Sequence, residues 1–175
     1  MKDSYDVIIV GGGPTGSMAG IEIAKSGLSV CILEKTRDIG CPVRCGEAVG
    51  HSGLIQFMEP KPNWIASKIM SIQLISPSEK KVSINFKKET GYILNRRVFD
   101  YDLSQIAVSH GAEVYTKAYV KDLIIKNGYI KGVKVDLLDQ TKELSAKIVI
   151  GADGIDSRVG RWAGIRTNVK MKDME

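Results

Sequence analysis

The chain has 175 residues, 43% of them hydrophobic and 26% charged, with a formal net charge of +5; this suits one good core and excludes a disordered chain. Its longest apolar runs have strand length, which excludes a bilayer-spanning helix, and the N-terminus lacks the basic-then-apolar layout of a signal peptide, so a cytoplasmic address is expected. The charge reads as a lysine-rich solvated exterior, and three cysteines in such a chain read as reduced thiols rather than a disulfide framework.

Residues 7–10 are four apolar residues that read as a buried parallel strand, and Gly11, Gly13 and Gly16 behind them fit G-x-G-x-x-G. Glycine is needed at the first place for a tight turn, at the second so that backbone can approach a pyrophosphate, and at the third for close packing of helix on strand. An apolar helix is expected over 14–26, with Gly27 where a C-cap belongs. A second strand over 29–33 ends on Glu34, about twenty residues downstream, where a carboxylate can accept hydrogen bonds from ribose hydroxyls. Strand, loop, helix, strand and acid in register predict a dinucleotide site.

A loop with two cysteines follows over 35–49, leading into an expected helix over 47–58 and a Pro-containing connection over 59–66. Strands are expected over 71–76 and 82–86, forming a hairpin that interrupts the nucleotide-binding pattern. The rhythm resumes with an amphipathic helix over 97–110, stopped by Gly111, and a strand over 113–116. Strands over 119–126, 129–137 and 142–146 read as a three-stranded antiparallel meander, with turns at Asn127-Gly128 and Asp139-Gln140. A buried strand over 147–150 then ends in Gly151-Ala152-Asp153-Gly154, and a short helix over 157–163 is expected to take its cap from Asp156 or Ser157. The tail over 167–175 has no pattern. This gives a nucleotide-binding domain over 1–66 and 94–165, a hairpin over 67–93 that begins a second domain, and a tail over 166–175.

That arrangement resembles the FAD-dependent flavoproteins of the two-dinucleotide-binding-domain type, which include aromatic hydroxylases and geranylgeranyl reductases; their later Asp-Gly motif matches Gly151 to Gly154 with Ser157 and Arg158 behind it. Three features resemble the reductase branch: Arg44-Cys45-Gly46-Glu47 after Pro42, Arg96 with Phe99-Asp100, and Gly160-Arg161-Trp162-Ala163-Gly164. The nearest likeness is to the archaeal digeranylgeranylglycerophospholipid reductases. The resemblance implies an α/β fold: a Rossmann-like FAD-binding domain with inserted antiparallel strands and a three-stranded meander. Members of the family are longer, so the C-terminal part of the family fold is expected to be absent, with an apolar surface exposed that the missing part normally covers.

The resemblance also implies roles. Gly11, Gly13, Thr15 and Gly16 hold the FAD pyrophosphate through backbone N–H groups, Glu34 takes the adenosine ribose, and Lys35 lies beside the adenine. Arg44, Cys45, Gly46 and Ala48 form the loop that packs along the flavin, Arg96 contacts FAD phosphate or ribose, Val120 makes a backbone contact to adenine, and Asp153 and Gly154 stand at the ligand edge of the sheet. Cys45 is placed near the flavin ring, facing substrate, as the candidate catalytic residue; a buried structural thiol and a redox pair with Cys41 stay open beside it. No metal site is expected, because Cys41 and Cys45 with only His51 nearby fall short of a four-ligand set. His51, His110, Trp64 and Trp162 read as packing or surface residues.

The implied function is FAD-dependent hydrogenation of isoprenoid C=C bonds in geranylgeranyl lipids of archaeal-type membranes. Its implied partners are an isoprenoid lipid substrate and a reduced electron donor, ferredoxin or NAD(P)H, with peripheral membrane contact carried by the resemblance alone and no nucleic acid. The competing readings are another FAD-dependent monooxygenase or electron-transfer dehydrogenase on the same fold, a non-catalytic FAD-binding remnant, and an NAD-only Rossmann dehydrogenase. The last is disfavoured by the Gly-Ala-Asp-Gly motif and the meander.

Overall fold

The computed structural model describes residues 1–138 and 140–167. In chain order its elements are β1 (Ser4–Val10), α1 (Pro14–Lys25), β2 (Val30–Leu33), β3 (Ala48–Gly50), α2 (His51–Leu54), β4 (Ile65–Ile69), β5 (Ser71–Ile75) and β6 (Lys81–Asn85). There follow β7 (Gly91–Leu94), α3 (Arg96–Ser109), β8 (Glu113–Tyr115), β9 (Ala118–Lys126), β10 (Tyr129–Leu137), β11 (Gln140–Gly151) and α4 (Arg158–Trp162). They divide into two compact units, Met1–Cys41 with the chain from Asp100 onward, and Pro42–Phe99. The second unit therefore takes in 42–66 and 94–99 as well as the hairpin read from the sequence, because β3 and β4 both pair with β7.

The first unit is built on a six-stranded sheet in the order β8-β2-β1-β11-β10-β9. β8, β2, β1 and the C-terminal half of β11 run parallel, while β11, β10 and β9 form an antiparallel meander. Val30 to Leu33 are buried throughout, as a parallel strand covered on both faces requires. Its core gathers Ile8, Val10, Leu33, Val133, Val135 and Leu144 from strands distant in sequence. α1 buries Gly16, Gly20, Ile21 and Ala24 along one stripe, and a Cβ on Gly20 would sit 2.6 Å from Cδ1 of Ile32, so the missing side chain sets how closely α1 approaches β2.

β11 corrects the sequence reading most clearly. The strands expected over 142–146 and 147–150 are one strand that changes partners: Gln140 to Ser145 pair antiparallel with β10, and Ser145 to Gly151 pair parallel with β1. The meander is thus a continuation of the Rossmann sheet. Its alternation passes through Ser145 and Lys147 without a turn residue, which leaves no break in the pleat. The cap of α4 is also corrected. Ser157 precedes the helix with φ +43 and makes no side-chain cap; Oδ2 of Asp153 accepts the Val159 N–H at 3.0 Å instead. The Asp156 side chain, the Asp139 turn position and the tail from 168 onward lie outside the described residues.

In the second unit, β3, β7 and β4 form a small antiparallel sheet and β5 pairs with β6. The helix expected over 47–58 is replaced by β3 and the single turn of α2. Glu47 has φ +62 and Gly50 an extended ψ of 138, and pairing of Ala48 to Gly50 with β7 outweighs the weak helix propensity of a stretch holding Gly50 and Gly53. Trp64 is 1% exposed and meets Phe99 edge-on, ring centroids 5.1 Å apart, while His51 Nδ1 and the Tyr92 hydroxyl share a 2.7 Å hydrogen bond. The hairpin β5–β6 is exposed along its whole length, with Ile72 opposite Ile84 and Leu74 opposite Val82 on one face.

Candidate functional site

β1, β2 and β11 end together at one edge of the first sheet, where open α/β folds bind ligands. After β1 the chain turns through Gly11 at φ +109, a conformation that side chains disfavour, and a Cβ there would sit 2.3 Å from the carbonyl oxygen of Ala152 at the end of β11. Gly16 is closed just as tightly, its Cβ position 1.9 Å from the Gly11 carbonyl oxygen. Gly13 differs: a Cβ there meets nothing within 4 Å. The protein itself leaves that space open, at the N-cap of α1, where no side chain caps the helix and no acidic residue occupies the first turn. Uncapped first-turn N–H groups behind an open approach make an anion cradle.

Glu34 stands beside the cradle with its carboxylate fixed from two sides. Oε2 accepts the Gly12 N–H at 2.7 Å, and Oε1 accepts the Thr36 N–H and hydroxyl, both at 2.8 Å. Each oxygen keeps acceptor capacity beyond these bonds, so a diol can still be received.

A cavity of about 230 Å³ opens at this sheet edge. Its apolar part comes from Val10, Leu33, Ala118, Val120 and Ala152, and its polar part from Gly11, Gly13, Glu34, Lys35, Asp153 and Gly154. Seven residues expected as cofactor contacts are therefore brought together: Gly11, Gly13, Glu34, Lys35, Val120, Asp153 and Gly154. Thr15 is exposed in the first turn of α1, and Gly16 is buried beneath it. Asp153 lines the cavity while its carboxylate also caps α4.

The remaining expected contacts belong to the second unit. Arg44, Cys45 and Gly46 form an exposed loop, Ala48 is an exposed residue of β3, and Arg96 is half-buried at the start of α3. Exposure removes the buried-thiol reading of Cys45, whose Sγ accepts the Glu47 N–H at 3.3 Å. Glu47, read from the sequence as a helix start and as the end of the Arg-Cys-Gly-Glu stretch, ties this loop down: its carbonyl accepts the Leu94 N–H at 2.9 Å and its carboxylate accepts the Arg96 N–H at 3.2 Å. Sequence reasoning also missed Tyr119 and set aside Trp162 as a packing or surface residue; both line the cavity with Arg158. The four-residue spacing of Arg158 and Trp162 behind the Asp-Gly motif was the available signal.

An FAD binding domain profile matches residues 4–175. The chain belongs to that family. This FAD-binding chain is 45% identical over its whole length to digeranylgeranylglycerophospholipid reductase of Methanocella arvoryzae, of which it covers 45%. It is 46% identical to digeranylgeranylglycerophospholipid reductase 2 of Methanococcoides burtonii, covering all of this chain and 44% of that one. Among solved structures, a geranylgeranyl bacteriochlorophyll reductase-like protein of Thermoplasma acidophilum superposes with a TM-score of 0.91 at 37% identity, over 96% of this chain and 44% of that one. The chain thus spans less than half the length of these relatives.

FAD is the cofactor of this family, and the residues present fit it. The Gly13 opening and uncapped α1 suit a pyrophosphate, the prepared Glu34 carboxylate suits a ribose diol, and the apolar cavity beside both suits a purine.

Proposed function

We propose that this chain is the FAD-holding part of a reductase that saturates isoprenoid C=C bonds of geranylgeranyl lipids in archaeal-type membrane lipid synthesis. The observation that carries the reading is the open cradle at Gly13 beside Glu34, on a chain 45% identical to a named digeranylgeranylglycerophospholipid reductase. FAD, when bound and reduced, supplies the hydride for such a saturation.

The chain's own residues bind and orient. N–H groups of Gly13, Thr15 and Gly16 receive the pyrophosphate, with the α1 dipole behind them, whereas the Gly11 N–H, expected from the sequence to join them, already donates to the Leu33 carbonyl at 2.9 Å and Gly11 serves the turn; Glu34 accepts from the ribose; and Lys35, Val120, Asp153 and Gly154 border the adenosine end. Arg44, Cys45, Gly46, Ala48 and Arg96 are further FAD contacts in this proposal, and Cys45 is the residue nearest the chemistry. Their support is the likeness of their loop and helix start to the reductase motifs. An isoprenoid lipid is the proposed substrate, ferredoxin or NAD(P)H the reductant, and the membrane surface the place where the lipid is met. No described helix is long and apolar enough to cross a membrane.

The test loads the chain with FAD, reduces it with dithionite and offers a geranylgeranyl-bearing glycerophospholipid. A mass gain of one dihydrogen per saturated bond, weakened in Cys45→Ser, is the expected outcome. Bound, reduced flavin beside unchanged lipid contradicts the assigned reaction and leaves the cofactor assignment standing.

A further inference from the structure

Three planar side chains border the cavity without belonging to the phosphate cradle: Tyr119 of β9, and Arg158 and Trp162 of α4. They are already arranged. The Arg158 guanidinium donates a hydrogen bond to the Tyr119 hydroxyl, and its Cζ lies 5.7 Å from the Tyr119 ring centroid. Trp162 is half-buried and packs against the main core, so its indole has a fixed seat. Arg158 and Trp162 stand four residues apart, which places both on one face of α4. The Asp153 carboxylate fixes the start of that helix through the Val159 N–H. At about 230 Å³ the cavity falls below the roughly 300–1,000 Å³ of pockets that enclose a whole drug-sized ligand, which suits one end of a dinucleotide.

We propose that Tyr119, Arg158 and Trp162 hold the adenine ring, making α4 the element that selects FAD over FMN. This rests on the reading that the cavity takes the adenosine end of FAD. A purine has two π-faces that aromatic rings and a guanidinium plane can stack on, and FMN, which lacks the purine, gains nothing from this wall. Asp153 acts through the helix it caps and is a positioning residue for Arg158 and Trp162.

The experiment titrates ADP, which carries no flavin chromophore, into the full chain and follows tryptophan emission, with calorimetry for affinity. Trp64 is buried in the second unit and reports folding, so the ADP-dependent change is expected to vanish in Trp162→Phe while Trp64 emission persists. ADP affinity is expected to fall about tenfold in Arg158→Ala and in Tyr119→Leu, the size of one lost stacking contact. Tyr119→Phe, which keeps the ring, is expected to retain most of the affinity, and FMN to leave bound ADP in place. Wild-type affinity in Arg158→Ala and Tyr119→Leu overturns the inference, as does an emission change that survives in Trp162→Phe; in either case the FAD reading stands if FAD still binds. A folded wild-type chain that binds neither ADP nor FAD overturns the reading of the cavity and this inference with it.

Discussion

At the scale of single residues, the three glycines of the fingerprint separate fold from function. Gly16 serves packing: Gly16→Ala drives a Cβ to 1.9 Å from the Gly11 carbonyl oxygen and is expected to cost about 3 kcal/mol, read as a lowered denaturation midpoint. Gly13, in the proposed function, serves the ligand. Its backbone is extended, φ −71 and ψ −175, and its Cβ position is open, so Gly13→Val is expected to keep the fold, losing at most about 1 kcal/mol at the N-cap, while blocking the cofactor. A cofactor-competent Gly13→Val protein would contradict that division. The cysteines divide in the same way. Burial pushes the Cys31 thiol up to about 12, whereas Cys45 is exposed. A thiol reagent at pH 8 is therefore expected to modify Cys45 first and Cys31 only on unfolding.

At the scale of elements, legibility followed how local each element's cause is. The strand, glycine turn, helix, strand and acid of the first 34 residues carry their own periodicity and turn chemistry, and they form within one to three residues of the expected bounds. β3 and β7 are three and four residues long and owe their existence to each other across about forty residues, a pairing that no window of sequence contains. β11 was split because half of it obeys β10 and half obeys β1. The α4 cap came from Asp153 rather than Ser157 because the αL turn at Ser157 brings the Val159 N–H back to the strand end. Asp153→Ala is accordingly expected to cost about 1 kcal/mol and to speed hydrogen exchange in α4, with Asp153→Asn restoring most of the loss.

A second element-scale device stitches the far end of the same sheet. Glu113 of β8 accepts hydrogen bonds from the hydroxyls of Tyr5 on β1 and Tyr115, both at 2.7 Å, and pairs with Lys2 at 3.1 Å. Burial alone would raise its carboxyl, but the Tyr5, Tyr115 and Lys2 interactions outweigh it and bring the pKa to about 2 from an ordinary 4.5. A depressed carboxyl stabilises the fold above its unfolded pKa, and that contribution is lost as pH falls through the folded value. Stability is thus expected to decline between about pH 5 and pH 2, by about 1–2 kcal/mol from this group after allowance for solvent. Glu113→Gln is expected to flatten that part of the pH profile; an unchanged acid slope in the variant would contradict the assignment.

For the whole molecule, the cavity and all its described lining residues belong to the first unit. The residues proposed for the adenosine and pyrophosphate were legible as a group because glycine spacing and a strand-end acid have few other uses, and the structure gathers Gly11, Gly13 and Glu34 around one cavity. Tyr119 was illegible, and Trp162 legible only through its spacing from Arg158, because an aromatic residue at a strand or helix position reads equally as core until topology brings β9 and α4 to the same edge. The apolar face of Ile72, Leu74, Val82 and Ile84 is a property at this scale too. It is expected to bind a hydrophobic dye and to promote association at high concentration, and Leu74→Lys with Val82→Glu is expected to reduce both without lowering the melting midpoint. The central claim, that this chain holds FAD through the first unit, is tested most directly by an equilibrium titration of FAD into the purified chain, followed by flavin fluorescence. Saturable binding of one FAD per chain, abolished in a folded Gly13→Val variant, is the predicted result; a folded chain that leaves FAD free, or one that binds it equally with valine at position 13, would contradict it.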